Sequence, residues 1–214
     1  MAAPVRVLVE DTATKSFASA LDWPGWSRSA KTADASLEVL ESTRRRYAQV
    51  LRRCGVRAPT GALEVVVQVP GDATTAFGAP SRFIAEDARP LSAAEKARYA
   101  AILSACWTIC EERIAAAGLL RAGPRGGGRD AARIRAHVRS AEIPYARKLG
   151  LAVTTFGAED DASSDRLRAR VLGAIAGSQR PERDGAWPLR YAARRFAWHA
   201  LDHAWEIEDR SPLV

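Results

Sequence analysis

Apolar positions recur along the chain in two different periods, and the change from one to the other divides it. Val5, Val7, Leu8 and Val9 form a short apolar run, and residues 16–21 alternate; a polar stretch around Asp11 to Thr14 joins them, which predicts a strand pair. Trp23-Pro24-Gly25-Trp26 is a bend, because proline fixes φ and glycine relaxes it. Residues 27–30 predict a third strand, and Thr32 then caps one helix running to Arg53, striped by Leu37, Leu40, Tyr47, Val50 and Leu51 and ended by Gly55. Residues 63–69 predict a last strand, stopped by Pro70-Gly71. Residues 72–90, with Gly78, Pro80 and Pro90, read as an irregular connector.

Beyond the connector the period is helical throughout. Ser92 with Glu95 makes a capping box for a long helix whose inner face is Ile102, Leu103, Cys106, Trp107, Cys110 and Ile114, ended by Gly118. A glycine-rich loop at 123–128 leads to a second helix starting near Asp130. A third opens at Ser163 or Ser164 and ends by Gly177; after a loop at 180–188, the last covers about 189–208. The pattern predicts an α+β protein: a small N-terminal β-sheet with one helix over 1–78, then an antiparallel four-helix bundle over 79–214. No internal repeat is visible.

Composition narrows the function classes. No apolar run approaches the ~20 residues that span a bilayer, and Arg6, Glu10 and Asp11 interrupt the N-terminus too early for a secretory signal. A cytoplasmic protein is expected. The cysteines, Cys54, Cys106 and Cys110, are too few and odd in number for a disulfide framework. Cys106 and Cys110, four apart on one helix face, read as small core residues in preference to a reactive thiol pair. The net charge of +7 is carried almost wholly by arginine, with no base-stacking aromatics between the basic stretches, which points away from nucleic acid.

The candidate chemistry lies in the three histidines. His199 and His203 stand four apart, so both imidazoles face one side of the last helix, within reach of one ion. His137 lies on the second helix, and facing helices of a bundle bring such residues together. Three neutral ligands leave coordination positions open, the pattern of a catalytic site, and zinc, nickel or iron would accept them. Glu206 falls on the same stripe as a fourth ligand, an outer partner of a ligand, or a general base; Asp202 is a weaker partner for His199. Pro144 falls inside the second helix and is expected to kink it. Arg125, Arg129, Arg133 and Arg139 lie where they would hold an anionic group, or form a solvated face.

Two resemblances follow from these residues. From about residue 90 to 210 the chain resembles the DinB-like superfamily, through Gly126-Gly127-Gly128, the helix with His137, Glu142, Tyr145 and Leu149-Gly150, and the His199/His203 pair; Arg129-Asp130 stand where that family often carries Trp-Ser. The resemblance implies a four-helix bundle in which His137, His199 and His203 hold a divalent metal. It also implies an enzyme acting on a small molecule, such as a metal-dependent S-transferase using a low-molecular-weight thiol, or a hydrolase. Residues 3–70 look like a HicB-type antitoxin domain, through the strand pair, the turn Leu21-Asp22-Trp23-Pro24-Gly25-Trp26 and the helix after Thr32. That likeness implies a small sheet with one helix that binds a protein partner, forms a homodimer or covers a pocket. The alternative to an enzyme is a non-catalytic partner-binding module with a structural or vestigial metal.

Overall fold

The computed structural model describes residues 2–123, 128–177 and 186–212; the predicted loop positions Arg125, Gly126 and Gly127, and most of the 180–188 loop, lie outside them. The fold is α+β. Strands β1 (Val5–Asp11), β2 (Ser16–Ala20) and β3 (Ser27–Ala30) form an antiparallel meander, followed by α1 (Ala33–Ser42) and α2 (Arg44–Arg53). These helices are the crossover to β4 (Leu63–Pro70), which pairs parallel to β1, giving the order β3-β2-β1-β4.

The single helix expected after Thr32 is therefore two. The break is at Thr43 (φ −87°, ψ 0°). Trp26 Nε1 donates to both the Leu40 carbonyl and Thr43 Oγ1 (3.1 Å each), and Thr43 Oγ1 itself donates to the Leu40 carbonyl (2.7 Å). Side chains thus occupy the carbonyl that a continuous helix would give to the amide of residue 44. Two further boundaries differ from expectation. The connector contains a short helix, α3 (Ala73–Phe77), and a 3₁₀ turn at Ala85–Ala88. The third helix of the C-terminal part starts ahead of Ser163, because Asp160 accepts from the Ser163 amide (2.9 Å) and caps it.

The two faces of the sheet have different neighbours. Val5, Val7 and Val9 join the main core with Leu40, Tyr47, Val50 and Leu51. On the other face, Phe17 packs edge-on against Trp198, and Leu8, Glu10 and Ser19 line a cavity with Arg194 and Arg195. The Trp-Pro-Gly-Trp bend is where the N-terminal elements meet the later helices. Gly25 has φ +93°, and a Cβ there would stand 3.3 Å from both Ala197 Cβ and Cys106 Sγ. Only glycine fits both the dihedral and the approach. Tyr47 closes the bend from the other side, stacking on Trp26 and donating to the Pro24 carbonyl (2.8 Å). One apolar cluster runs from Val5 to Ile207 through this junction.

The C-terminal helices are α4 (Ala93–Ala116), α5 (Ala131–Lys148), α6 (Asp161–Ile175) and α7 (Leu189–Arg210). Their side-chain pairs give their directions. Glu95 meets Arg190 and Arg113 meets Glu208, so α4 and α7 run the same way. Arg139 meets Asp161 and Glu142 meets Arg168, so the consecutive helices α5 and α6 also run together, not antiparallel as expected, the 149–160 connection being long enough to return the chain to the same end. His137 against His203 and Tyr145 against Phe196 set α5 opposite to α7. Helix α5 continues through Pro144.

Polar groups are buried between three of these helices. Arg168 forks onto Glu142 (Nε to Oε2 and Nη2 to Oε1, 3.0 Å each) and donates to Glu111 (2.8 Å), joining α6 to α5 and α4. Arg139, which the sequence offered for an anionic ligand, is taken up here by Glu111 and Asp161. Cys106 and Cys110 are buried on the inner side of α4, and burial pushes both thiols up, Cys110 to about 12, so neither is a thiolate near neutral pH.

Candidate metal centre

Helix periodicity places His199 and His203 one turn apart on α7, and the opposed packing of α5 brings His137 to them. One nitrogen from each imidazole lies within 4.8 Å of those of the other two. The ring centroids are 5.0, 4.9 and 4.9 Å apart, a nearly regular triangle. His137 Nε2 and His199 Nε2 are 3.2 Å apart. Two nitrogens each ~2.1 Å from one ion stand roughly 3.0–3.4 Å apart, so this pair has the spacing of two ligands of one cation.

The outer contacts decide which nitrogen His203 presents. Its Nδ1 is 2.8 Å from Glu206 Oε2. A carboxylate only accepts, so the proton sits on Nδ1 and Nε2 carries the free lone pair. Glu206 is held in turn by Arg210 Nη1 on its other oxygen (2.7 Å), and Arg210 Nε donates to the Arg121 carbonyl (2.9 Å). The bond to His203, and then Arg210, hold the Glu206 carboxyl below its usual range. Of the three roles open to Glu206, its position is that of an outer partner to a ligand: it lies outside the cluster of nitrogens. Arg210, four residues on, is the member of this chain that the sequence reading missed; the Glu206/Arg210 spacing carried the signal. Asp202 does not reach His199; it pairs with Arg28 (2.7 Å).

The donor set fits a metal ion. His199 is 6% exposed, and its Nδ1 is buried with no partner among the described residues. Burial, then the positive charge of the other histidine and arginine neighbours, pushes His199 well below its usual range. The same causes, burial, His203 and Arg129, depress His137 to about 4. Both imidazoles are therefore neutral at pH 7 and need lose no proton to bind a cation. Two of the three histidines are buried and His137 is half-buried.

Two predictions arise here. Glu206→Ala is expected to weaken metal binding by about 10- to 100-fold, the usual effect of losing the group that orients a ligand, with Glu206→Gln less affected; competition with a chromophoric chelator measures it, and unchanged affinity in the alanine variant would remove Glu206 from the site. The second concerns pH. An unfolded imidazole protonates near 6.5 and the folded His137 near 4, so the unfolded chain binds the proton first. The contribution of His137 to the stability of the metal-free protein is expected to fall as pH drops from about 6.5 to 4 and to level below that. Denaturation midpoints in chelator check this, and His137→Gln should flatten the slope.

The chain matches no family model, no curated protein and no solved structure.

Proposed function

We propose that this protein is a metal-dependent enzyme acting on a small molecule, with His137, His199 and His203 holding a divalent zinc, nickel or iron ion. The observation that carries the reading is the convergence of three imidazole nitrogens within 4.8 Å, with His203 oriented by a carboxylate behind it. That arrangement, a ligand histidine backed by a carboxylate, is the usual construction of histidine metal sites. Three protein ligands leave room for a further one, which favours catalysis over a closed structural site. His137 and the His199/His203 pair lie on opposed, neighbouring helices, the placement a DinB-like bundle calls for, which supports that reading of this part.

Within that reading the reaction is thiol transfer. A divalent ion lowers the pKa of a bound thiol, giving a thiolate at neutral pH. The chain's own buried cysteines stay protonated and do not compete for that role. The protein's part is to hold His137 and His199 neutral and to orient His203 through Glu206. The test is to load the protein with each metal and mix it with a small thiol and chlorodinitrobenzene. Thiol consumption faster than with metal-free protein is expected; equal rates for every metal would overturn the reading.

A further inference from the structure

We propose that Arg129 is the anion-recognising residue of the histidine centre, so that its ligand carries a carboxylate, or a comparable anion, besides the atom that meets the ion. The inference rests on the metal reading and adds the class of ligand.

Several arginines surround the site, and almost all are spoken for. Arg195 donates to the Pro80 carbonyl (2.6 Å) and to Tyr145 Oη (2.9 Å). Arg210 is bound to Glu206 and the Arg121 carbonyl. Arg28 pairs with Asp202, Arg139 with Glu111 and Asp161, and Arg133 with Asp130. Arg129 is exposed and makes no hydrogen bond or ion pair among the described residues.

Its two chain neighbours place its backbone near the centre. On one side Gly128 (φ +134°) lies so close to Arg210 that a Cβ would stand 2.6 Å from Nη2. On the other, Asp130 caps α5 by accepting from the Arg133 amide (2.7 Å). Arg129 thus stands between the residue that approaches Arg210, at the end of the Glu206–Arg210 chain, and the cap of the helix that carries His137.

Charge balance supplies the rest of the argument. Imidazole ligands bring no negative charge to offset a dication, and the carboxylate that backs His203, Glu206, is already matched by Arg210. A free guanidinium beside such a centre opposes cation binding unless an anion accompanies it. A ligand that supplies a thiolate to the ion and a carboxylate to Arg129 satisfies both charges, and the guanidinium fork suits a carboxylate.

The experiment uses cobalt(II)-loaded protein, with thiol binding followed by thiolate-to-cobalt charge-transfer absorption. The probes are 3-mercaptopropionate and 2-mercaptoethanol. The wild type is expected to bind the carboxylated thiol roughly 10-fold or more tightly than the neutral one, the scale of one charge-assisted hydrogen-bonded pair. Arg129→Ala is expected to erase that preference, Arg129→Lys to keep part of it, and Arg133→Ala to leave it intact. Equal binding of the two thiols by the wild type, or an unchanged preference in Arg129→Ala, overturns the proposal. Bound cobalt with no charge-transfer band for either thiol overturns the thiol chemistry and the proposal together, and absence of bound cobalt overturns the metal reading beneath both.

Discussion

His199→Ala protein, purified without a histidine tag, is expected to lose more than about 100-fold in affinity for the divalent ion that the wild type binds, exceeding the usual cost of losing an outer partner. His199 is the ligand with least freedom to be replaced. It is 6% exposed, its Nε2 faces His137 at 3.2 Å, and no other donor in the described residues joins the cluster. Its removal leaves one imidazole on each of two helices. The fold should tolerate the change, since the unpartnered Nδ1 contributes no hydrogen bond to it. Elemental analysis and circular dichroism together separate the effects: retained helix content with metal far below one per chain is the expected result. Added metal should also raise the melting temperature of the wild type only, since an ion bound to the native state alone stabilises by about 2.7 kcal/mol at 100 times its Kd. If His199→Ala carries as much metal as the wild type, the three-histidine centre is wrong.

The second large effect is on stability. Arg168→Leu is expected to destabilise the metal-free protein by about 3–5 kcal/mol, the cost of breaking a buried ion pair. Glu142 is 2% exposed and burial pushes its carboxyl up; the Arg168 fork is what makes its charge tolerable there. Without Arg168, Glu142 must take up a proton or remain an unpaired buried charge, and Glu111 loses a donor as well. Replacing both members, as in Glu142→Leu with Arg168→Met, should recover more than half of the loss, because two apolar side chains of similar volume carry no desolvation cost. Urea denaturation of the wild type and the two variants checks this. A loss under about 1 kcal/mol for the single variant would show that water reaches Glu142.

Local pattern made much of the fold legible. All four strands lie where alternation and the Pro-Gly stops put them, and Ser92 with Glu95 forms the capping box its spacing announced. The places where pattern fell short share a cause. Residues 32–53 are helical throughout by sequence, yet the helix breaks at Thr43 because Trp26, 17 residues earlier, reaches the Leu40 carbonyl and the threonine hydroxyl. The start of α6 shifts because Asp160 outcompetes the serines as a cap. Arg139 reads as a surface arginine until two other helices supply its carboxylates.

For the candidate centre the division is similar. Spacing alone fixed that His199 and His203 share a face of one helix, because 3.6 residues per turn leaves no alternative, and that Glu206 and Arg210 continue the same stripe. Spacing could not bring in His137, 62 positions from His199, whose approach depends on α5 running opposite to α7. Nor could it say that Glu206 backs His203 while Asp202 turns to Arg28, or that Arg129 makes no hydrogen bond or ion pair among the described residues. Helix periodicity sets what lies on a face; only the packing of one face on another sets distances between elements, and with them the proton positions and charges on which metal binding depends.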